Sequence, residues 1–259
     1  MLEELKILHA HGVQYVKDLR NARLSPLFRG RPTISTTYSE EDVARLTTLC
    51  PTSAITGGPL AIDLGKCVFC RACEQHYPQI VQFTNDYRLA ANKREDLVVK
   101  AGDEAGIRLN AENIRAEVRS VLKRSLKLRQ VSAGGDASCE MELNAAGNVN
   151  FDMGRFGIEF VASPRHADGI VITGPIAKNM ARALELCYEA VPEPKIVVLV
   201  GSDAISGGLF QGSPALDRSF IDSHHVDLYI PGNPAHPLTF INGLMDLLGI
   251  EEETPNRGI

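Results

Sequence analysis

Apolar positions follow one rhythm in the second half of the chain and another in the first. From residue 128 onward, short apolar runs (LRQVSA, FGIEFVAS, GIVITGP, KIVVLVG and VDLYIPG) alternate with helical patterns, notably over 175–191 and 236–249. Strand, loop, helix, strand predicts an open parallel sheet with helices on both faces. Several predicted strands run into glycine: Ala133-Gly134, Thr173-Gly174, Val200-Gly201 and Pro231-Gly232. Ligands bind outside the carboxyl ends of strands in such sheets.

The first half is less regular. Residues 3–20 predict a helix, with Leu5, Ile7, Leu8, Val13, Val16 and Leu19 roughly on one stripe. PLFRGRPT (26–33) predicts irregular chain. SEEDVARLTTL (39–49) opens with a Ser cap followed by acids and predicts a short helix. Strand-like pieces follow at 60–63 and from Ile80 to Phe83. Residues 84–110 read as a polar connector wrapping the surface. AENIRAEVRSVLKRSLK (111–127) predicts a helix with basic residues towards its C-terminal end, where they favour the dipole. The change of rhythm places a boundary near 110–127, giving two predicted domains, 1–110 and 111–259.

Composition narrows function without naming it. The 44% hydrophobic and 23% charged residues are ordinary for a soluble globular protein. A net charge of −5 gives no reason to expect nucleic acid as a partner. The N-terminus lacks signal-peptide features, and no run approaches the roughly 20 apolar residues of a membrane helix. The expectation is a cytoplasmic protein, peripheral to a membrane through partners or through its first helix.

The chemistry lies in the cysteines. Four of six fall between residues 50 and 73, and in a reducing compartment such clustering favours metal over disulfide. Cys67, Cys70 and Cys73 have the C-x2-C-x2-C spacing that curls a backbone around one side of a [4Fe-4S] cube. In two-cluster ferredoxins the run continues x3-C-P, and that fourth cysteine ligates the other cluster. Here that position holds Tyr77-Pro78, while a Cys-Pro pair stands upstream at Cys50-Pro51. The crossed pattern predicts one [4Fe-4S] cluster on Cys50, Cys67, Cys70 and Cys73, with all four ligands of a second cluster lost. A zinc site or inert thiols are the alternatives, but zinc usually pairs two C-x2-C knuckles.

Residues 1–100 resemble the ferredoxin-like subunit of formate hydrogenlyase and hydrogenase-4 type complexes. The resemblance rests on FRGRP (28–32), CPTSAI and GKCVFCRACEQHYPQIVQFTNDY (65–87). Residues 119–259 resemble the small subunit of membrane-bound [NiFe] hydrogenases (group 4), itself similar to the 20 kDa B subunit of complex I. RSLKLRQVSAGGDASCEMELNA, RFGIEFVASPRHADGIVITGPIAKNM, YEAVPEPKIVVLVGSDAISGGLF and VDLYIPGNPAHP carry it. Together the segments look like a fusion of two subunits. The resemblance implies an α/β flavodoxin-like domain behind a small ferredoxin-like α+β domain. It also implies electron transfer beside a large-subunit-like partner and membrane subunits.

The resemblance breaks at the family's proximal cluster, whose ligand positions are here Asp136, Cys139, Asp203 and Asn233. One thiol, two carboxylates and an amide are a poor set for an iron–sulfur cube, so no proximal cluster is expected. The polar residues either bond to one another and to water, or bind a hard or borderline cation. Cys187 falls on a predicted helix away from this motif. Arg165 and His166 match the family loop near the proximal cluster and read as hydrogen-bonded structural residues. Glu142 reads as a partner contact with a weaker claim to a proton path. His224 and His225, adjacent before a strand, point to opposite faces and make a poor metal pair. No Ser/His/Asp arrangement or nucleotide fingerprint is present, and no catalytic residue is assigned. Two functions remain: an iron–sulfur electron-transfer subunit of a membrane-associated hydrogenase-like or complex I-like complex, or a degenerate small subunit serving as a docking module.

Overall fold

A computed structural model describes residues 2–12, 14–116, 118, 122 and 125–250. The second half is built on β6 (Leu126–Ser132), β7 (Ile158–Phe160), β8 (Gly169–Thr173), β9 (Ile196–Val200) and β10 (Leu228–Ile230). All pairings are parallel, and the spatial order is β10-β9-β8-β6-β7. Taken from the other edge, this is the 2-1-3-4-5 order of the flavodoxin-like doubly wound fold. Every residue of β8 and β9 is buried, which is why these segments read as unbroken apolar runs rather than alternating ones.

Helices α4 (Ser138–Ala146), α5 (Lys178–Ala190) and α8 (Pro237–Leu248) flank the sheet, with one-turn helices α6 (Ser202–Ser206) and α7 (Ser219–Ser223) before β10. Helix α8 is buried along nearly its whole length. The strand order reverses between β6 and β8. There the two carboxyl ends touch: a Cβ on Gly174 would lie 2.4 Å from the Gly135 nitrogen, and Gly174 has φ +76°. Only glycine meets both demands.

The first half has α1 (Leu2–His11), then β1 (Pro32–Ile34), α2 (Glu40–Leu49), β2 (Ile55–Thr56), β3 (Ala61–Asp63), α3 (Ala72–His76), β4 (Val81–Phe83) and β5 (Val98–Lys100). Strands β1 and β4 pair antiparallel, and β2, β3 and β5 form a second antiparallel sheet. The predicted Ser39 cap forms a full capping box with Asp42.

Three expectations need correction or limits. The helix predicted over 3–20 ends at His11, just before Gly12 with φ +59°. No residue of α1 is buried. Leu19 instead sits fully buried in a core shared with α8, where Asn242 Nδ2 donates to its carbonyl at 2.9 Å. Residues 84–110 are more than a surface connector. Tyr87, Leu89, Ala90, Ala91, Leu97 and Val99 are buried, and Ala91 exchanges backbone hydrogen bonds with Tyr229 on the edge of the parallel sheet. Of the helix predicted over 111–127, residues 117, 119–121, 123 and 124 lie outside the described residues, Ala111–Asn113 form a 3-10 turn, and Leu126 and Lys127 already belong to β6.

The two halves share one contiguous core. Ile62, Leu64, Leu97 and Val99 belong to the same buried cluster as Val131, Ile172, Leu199 and Ile205. Gly65 lets them approach, since a Cβ there would lie 2.8 Å from Ile205 Cγ2 and 2.7 Å from the Arg94 guanidinium carbon.

Candidate metal centre and the emptied strand ends

The four cysteines of the predicted cluster line a single pocket. Leu49, Pro51, Ala54, Ile55, Ile62, Val68 and Phe83 give it apolar walls, and its exposed surface is almost wholly apolar. Helix α2 ends at Cys50, the loop after β3 supplies Cys67 and Cys70, and the first turn of α3 supplies Cys73. Asp63 organises that loop. Its carbonyl accepts the Cys67 N–H at 2.9 Å, its Oδ1 accepts the Gly65 N–H at 2.9 Å, and Arg94 grips its carboxylate from both ends at 2.8 and 2.7 Å.

The loop then curls through the left-handed region at Phe69 (φ +51°) and Arg71 (φ +66°). That curl aims the Phe69 nitrogen at Cys67 Sγ, 3.3 Å away, and the separate turn after Cys50 aims the Ala54 nitrogen at Cys50 Sγ, also 3.3 Å away. Burial, with the neighbouring cysteines adding to it, pushes the bare Cys67 thiol up to about 12 and Cys73 up to about 11. Cys70 is exposed.

This donor set fits an iron–sulfur cube: four thiols, a dry wall and N–H groups directed at sulfur. Among the described residues no three His, Cys, Asp or Glu side chains are placed to hold a single metal ion.

The crossed pattern also gives the positions that the ligands of a second cluster would take. Counting back from Cys50 with the same spacing puts its ligands at residues 40, 43 and 46, with residue 77 as the fourth. These are Glu40, Val43, Leu46 and Tyr77. The first three lie on α2, whose Leu46 is fully buried. Val43 and Tyr77 pack against the same core. None of the four is a thiol, and Val43 and Leu46 put hydrocarbon at two of them.

At the carboxyl ends of the parallel strands, Asp136, Cys139, Asp203 and Asn233 also come together. They line one small pocket with Gly135, Ser138, Glu140, Gly174, Gly201, Ser202 and Gly232. The polar groups are already engaged. Asp136 Oδ1 accepts from Ser138 N–H at 2.9 Å and Ser138 Oγ at 2.6 Å. Thr173 Oγ1 donates to Glu140 Oε1 at 2.6 Å, and Asn233 Nδ2 donates to Ser202 Oγ at 3.1 Å. The Asp203 carboxylate packs against Gly208, and the Cys139 sulfur against Gly201. Burial pushes the Cys139 thiol up to about 12. Burial, reinforced by the negative charge of Asp136, also raises the Asp203 carboxyl above the usual range. One thiol among carboxylates does not fit an iron–sulfur cube.

The other candidates lie elsewhere. Cys187 is on α5, away from both pockets. Arg165 and His166 are exposed in the turn Pro164–His166 and line neither pocket. The chain there leaves β7 level with Leu128 and re-enters beside Lys127, well short of the carboxyl edge. His224 stacks on Phe220 and bonds its carbonyl. Glu142 borders a cleft between the halves, where burial raises its carboxyl.

Three residues matter that sequence reasoning did not single out. Arg218 donates to the carbonyls of Pro175, Asp203, Ala204 and Ile205, closing the end of α6 beside the emptied pocket. His236 caps α8 and lines the inter-half cleft. Arg29 reaches the cysteine loop. Arg29 had a signal in FRGRP and His236 in NPAHP, where it precedes the Pro that opens α8; Arg218 had none.

The fold and strand-end pocket define a flavodoxin-like α/β protein with its polar groups gathered at the topological switch point. Residues 137–247 match the family model described as NADH ubiquinone oxidoreductase, 20 Kd subunit. The chain is 33% identical over 141 residues to a probable membrane-bound hydrogenase subunit mbhJ of Pyrococcus furiosus, covering 52% of this chain and 84% of that protein. It is 43% identical over 113 residues to the B subunit of NADH-quinone oxidoreductase from Geobacter sp. (strain M21), covering 44% of this chain and 66% of the relative. The corresponding protein of Desulfovibrio desulfuricans is also 43% identical, with 61% of its length covered. The chain thus spans no more than about two thirds of these two NADH-quinone oxidoreductase relatives. The structure of an archaeal membrane-bound sulfane sulfur reductase aligns at a TM-score of 0.45 and 27% identity, over 51% of this chain and 73% of that one. This chain belongs to the NADH ubiquinone oxidoreductase 20 Kd subunit family.

Proposed function

We propose that the chain is an iron–sulfur electron-transfer subunit of a membrane-associated hydrogenase-like or complex I-like oxidoreductase complex. The observation that carries this reading is the pocket lined by Cys50, Cys67, Cys70 and Cys73. Those four residues would hold one [4Fe-4S] cluster, which supplies one-electron chemistry when bound. Phe69 and Ala54 turn N–H groups towards the sulfurs, the apolar wall limits water, and exposed Cys70 marks the side nearest solvent.

The β-α-β-β-α-β order of β1, α2, β2, β3, α3 and β4 supports a ferredoxin-like domain within 1–110, ahead of the family domain in 111–259. Such a chain is a fusion of two subunits. Its partners are a large-subunit-like protein and the membrane subunits of the same complex. No helix among the described residues is long and apolar enough to cross a membrane. The chain's place is the cytoplasmic side, held at the membrane by those partners.

A second reading is favoured by the carboxyl-edge pocket, whose polar groups bond to one another. On it the flavodoxin-like domain docks a partner and carries no electron relay.

Anaerobic purification followed by iron and sulfide analysis and electron paramagnetic resonance tests the cluster. About four irons per chain and a reducible signal are expected, and metal-free protein overturns the assignment. Hydrogen turnover with a viologen dye in the isolated native complex separates the two readings. Substantial activity removes the docking-only one.

A further inference from the structure

The segment after α1 docks on the flavodoxin-like half before it reaches the cysteine loop. Val16 N–H bonds Asn150 O at 2.8 Å, Asn242 holds the Leu19 carbonyl, and Arg20 pairs with Asp246. The Phe28 ring then meets the His236 ring edge-on at 5.2 Å. The next residue, Arg29, donates Nη1 to the Phe69 carbonyl at 2.7 Å.

Phe69 is a demanding place for such a contact. Its left-handed φ of +51° is disfavoured for a bulky residue. Its N–H is the group aimed at Cys67 Sγ, and its ring is buried against Phe83 at a centroid distance of 6.0 Å. A guanidinium on the carbonyl of this residue resists reversal of the peptide and brings a positive charge to the loop. Hydrogen bonds to sulfur are among the main determinants of an iron–sulfur potential. A nearby cation also favours the more negative, reduced state.

We propose that Arg29 is a positioning residue through which the flavodoxin-like half holds the cysteine loop and raises the potential of its cluster. This rests on the cluster reading above, and the test keeps the two apart. Full-length wild-type, R29K and R29Q chains are purified anaerobically, assayed for iron, and titrated electrochemically while the resonance signal is followed. R29Q is expected to retain iron and titrate at a more negative midpoint than wild type. R29K, which keeps the charge and loses the planar fork, should fall between them. Iron retained by R29K and lost by R29Q also supports the clamp. Equal midpoints in all three chains, each with full iron, overturn the proposal and leave the cluster standing. A wild-type chain with no cluster signal removes the reading beneath it.

Discussion

The molecule holds two pockets of four converging positions each, and they have opposite contents. The pocket of the first half has four thiols, apolar walls and N–H groups directed at sulfur. The pocket at the strand ends has one thiol; Asp136, Glu140, Asn233 and the hydroxyls of Ser138 and Ser202 are paired with near neighbours, and the Asp203 carboxylate packs against Gly208. The surrounding structures explain how both persist. The strand-end pocket sits on five parallel strands with buried β8 and β9, a core that needs no metal to form. The cysteine pocket is bounded by strands of two or three residues, and elements that short contribute little stability alone. Ligands are dispensable for folding where the sheet is large and valuable where it is small.

The largest expected effect comes from removing one thiol on each side. C67S should abolish the iron content and markedly lower the melting temperature of the anaerobic protein, because metal binding and folding are linked. C139S should leave both nearly unchanged. Iron loss in C139S, measured by colorimetric assay, would falsify the contrast between the pockets.

Next is Leu46, fully buried at one of the positions that the ferredoxin spacing would give a second cluster. L46A should cost about 2–5 kcal/mol in denaturant unfolding, without iron loss. A cost within about 0.5 kcal/mol, the range of an ordinary surface change, would mean that Leu46 does not serve the core there.

His236 comes third. Burial depresses its pKa from 6.5 to about 4. The neutral ring therefore contributes stability that is present above pH 6.5 and lost as pH falls towards 4. The contribution is on the order of 1–2 kcal/mol, reduced by partial exposure. H236N retains a capping side chain for α8. It should flatten this acid limb in a pH series of melting curves, and an unchanged limb would place the titration elsewhere.

The smallest effect is at Asp203. Its raised pKa means that its contribution is present below the unfolded carboxyl value and lost as pH rises through the folded one. D203N should be neutral or stabilising by up to about 1 kcal/mol near pH 7. A clear loss of stability in D203N, together with stabilisation of the wild type but not of D203N by added divalent cation, would revive the idea of an oxygen-ligand site.

Much of this was legible beforehand. Buried runs such as IVVLV encode the parallel sheet locally, because residues enclosed on both faces must be apolar throughout. The spacing of Cys50, Cys67, Cys70 and Cys73 likewise predicted that these four would line one pocket. The helix over 3–20 was misread because Leu19 is apolar for the sake of a core more than 200 residues away. The segment 84–110 hid its buried residues among charges, since a short edge strand such as β5 has too few positions to show a period.

By itself, then, the amino-acid order determined the doubly wound class and which thiols belong together, because both follow from local periodicity and spacing. Only the tertiary structure decided that Asp136, Cys139, Asp203 and Asn233 share one pocket. They follow three different strands, Asp136 and Cys139 at the start of α4 after β6, Asp203 on α6 after β9 and Asn233 after β10, and strand order is set by long-range pairing. It alone also decided that the segment ending at Arg29 ties the two halves together, because that contact depends on how one core packs against the other.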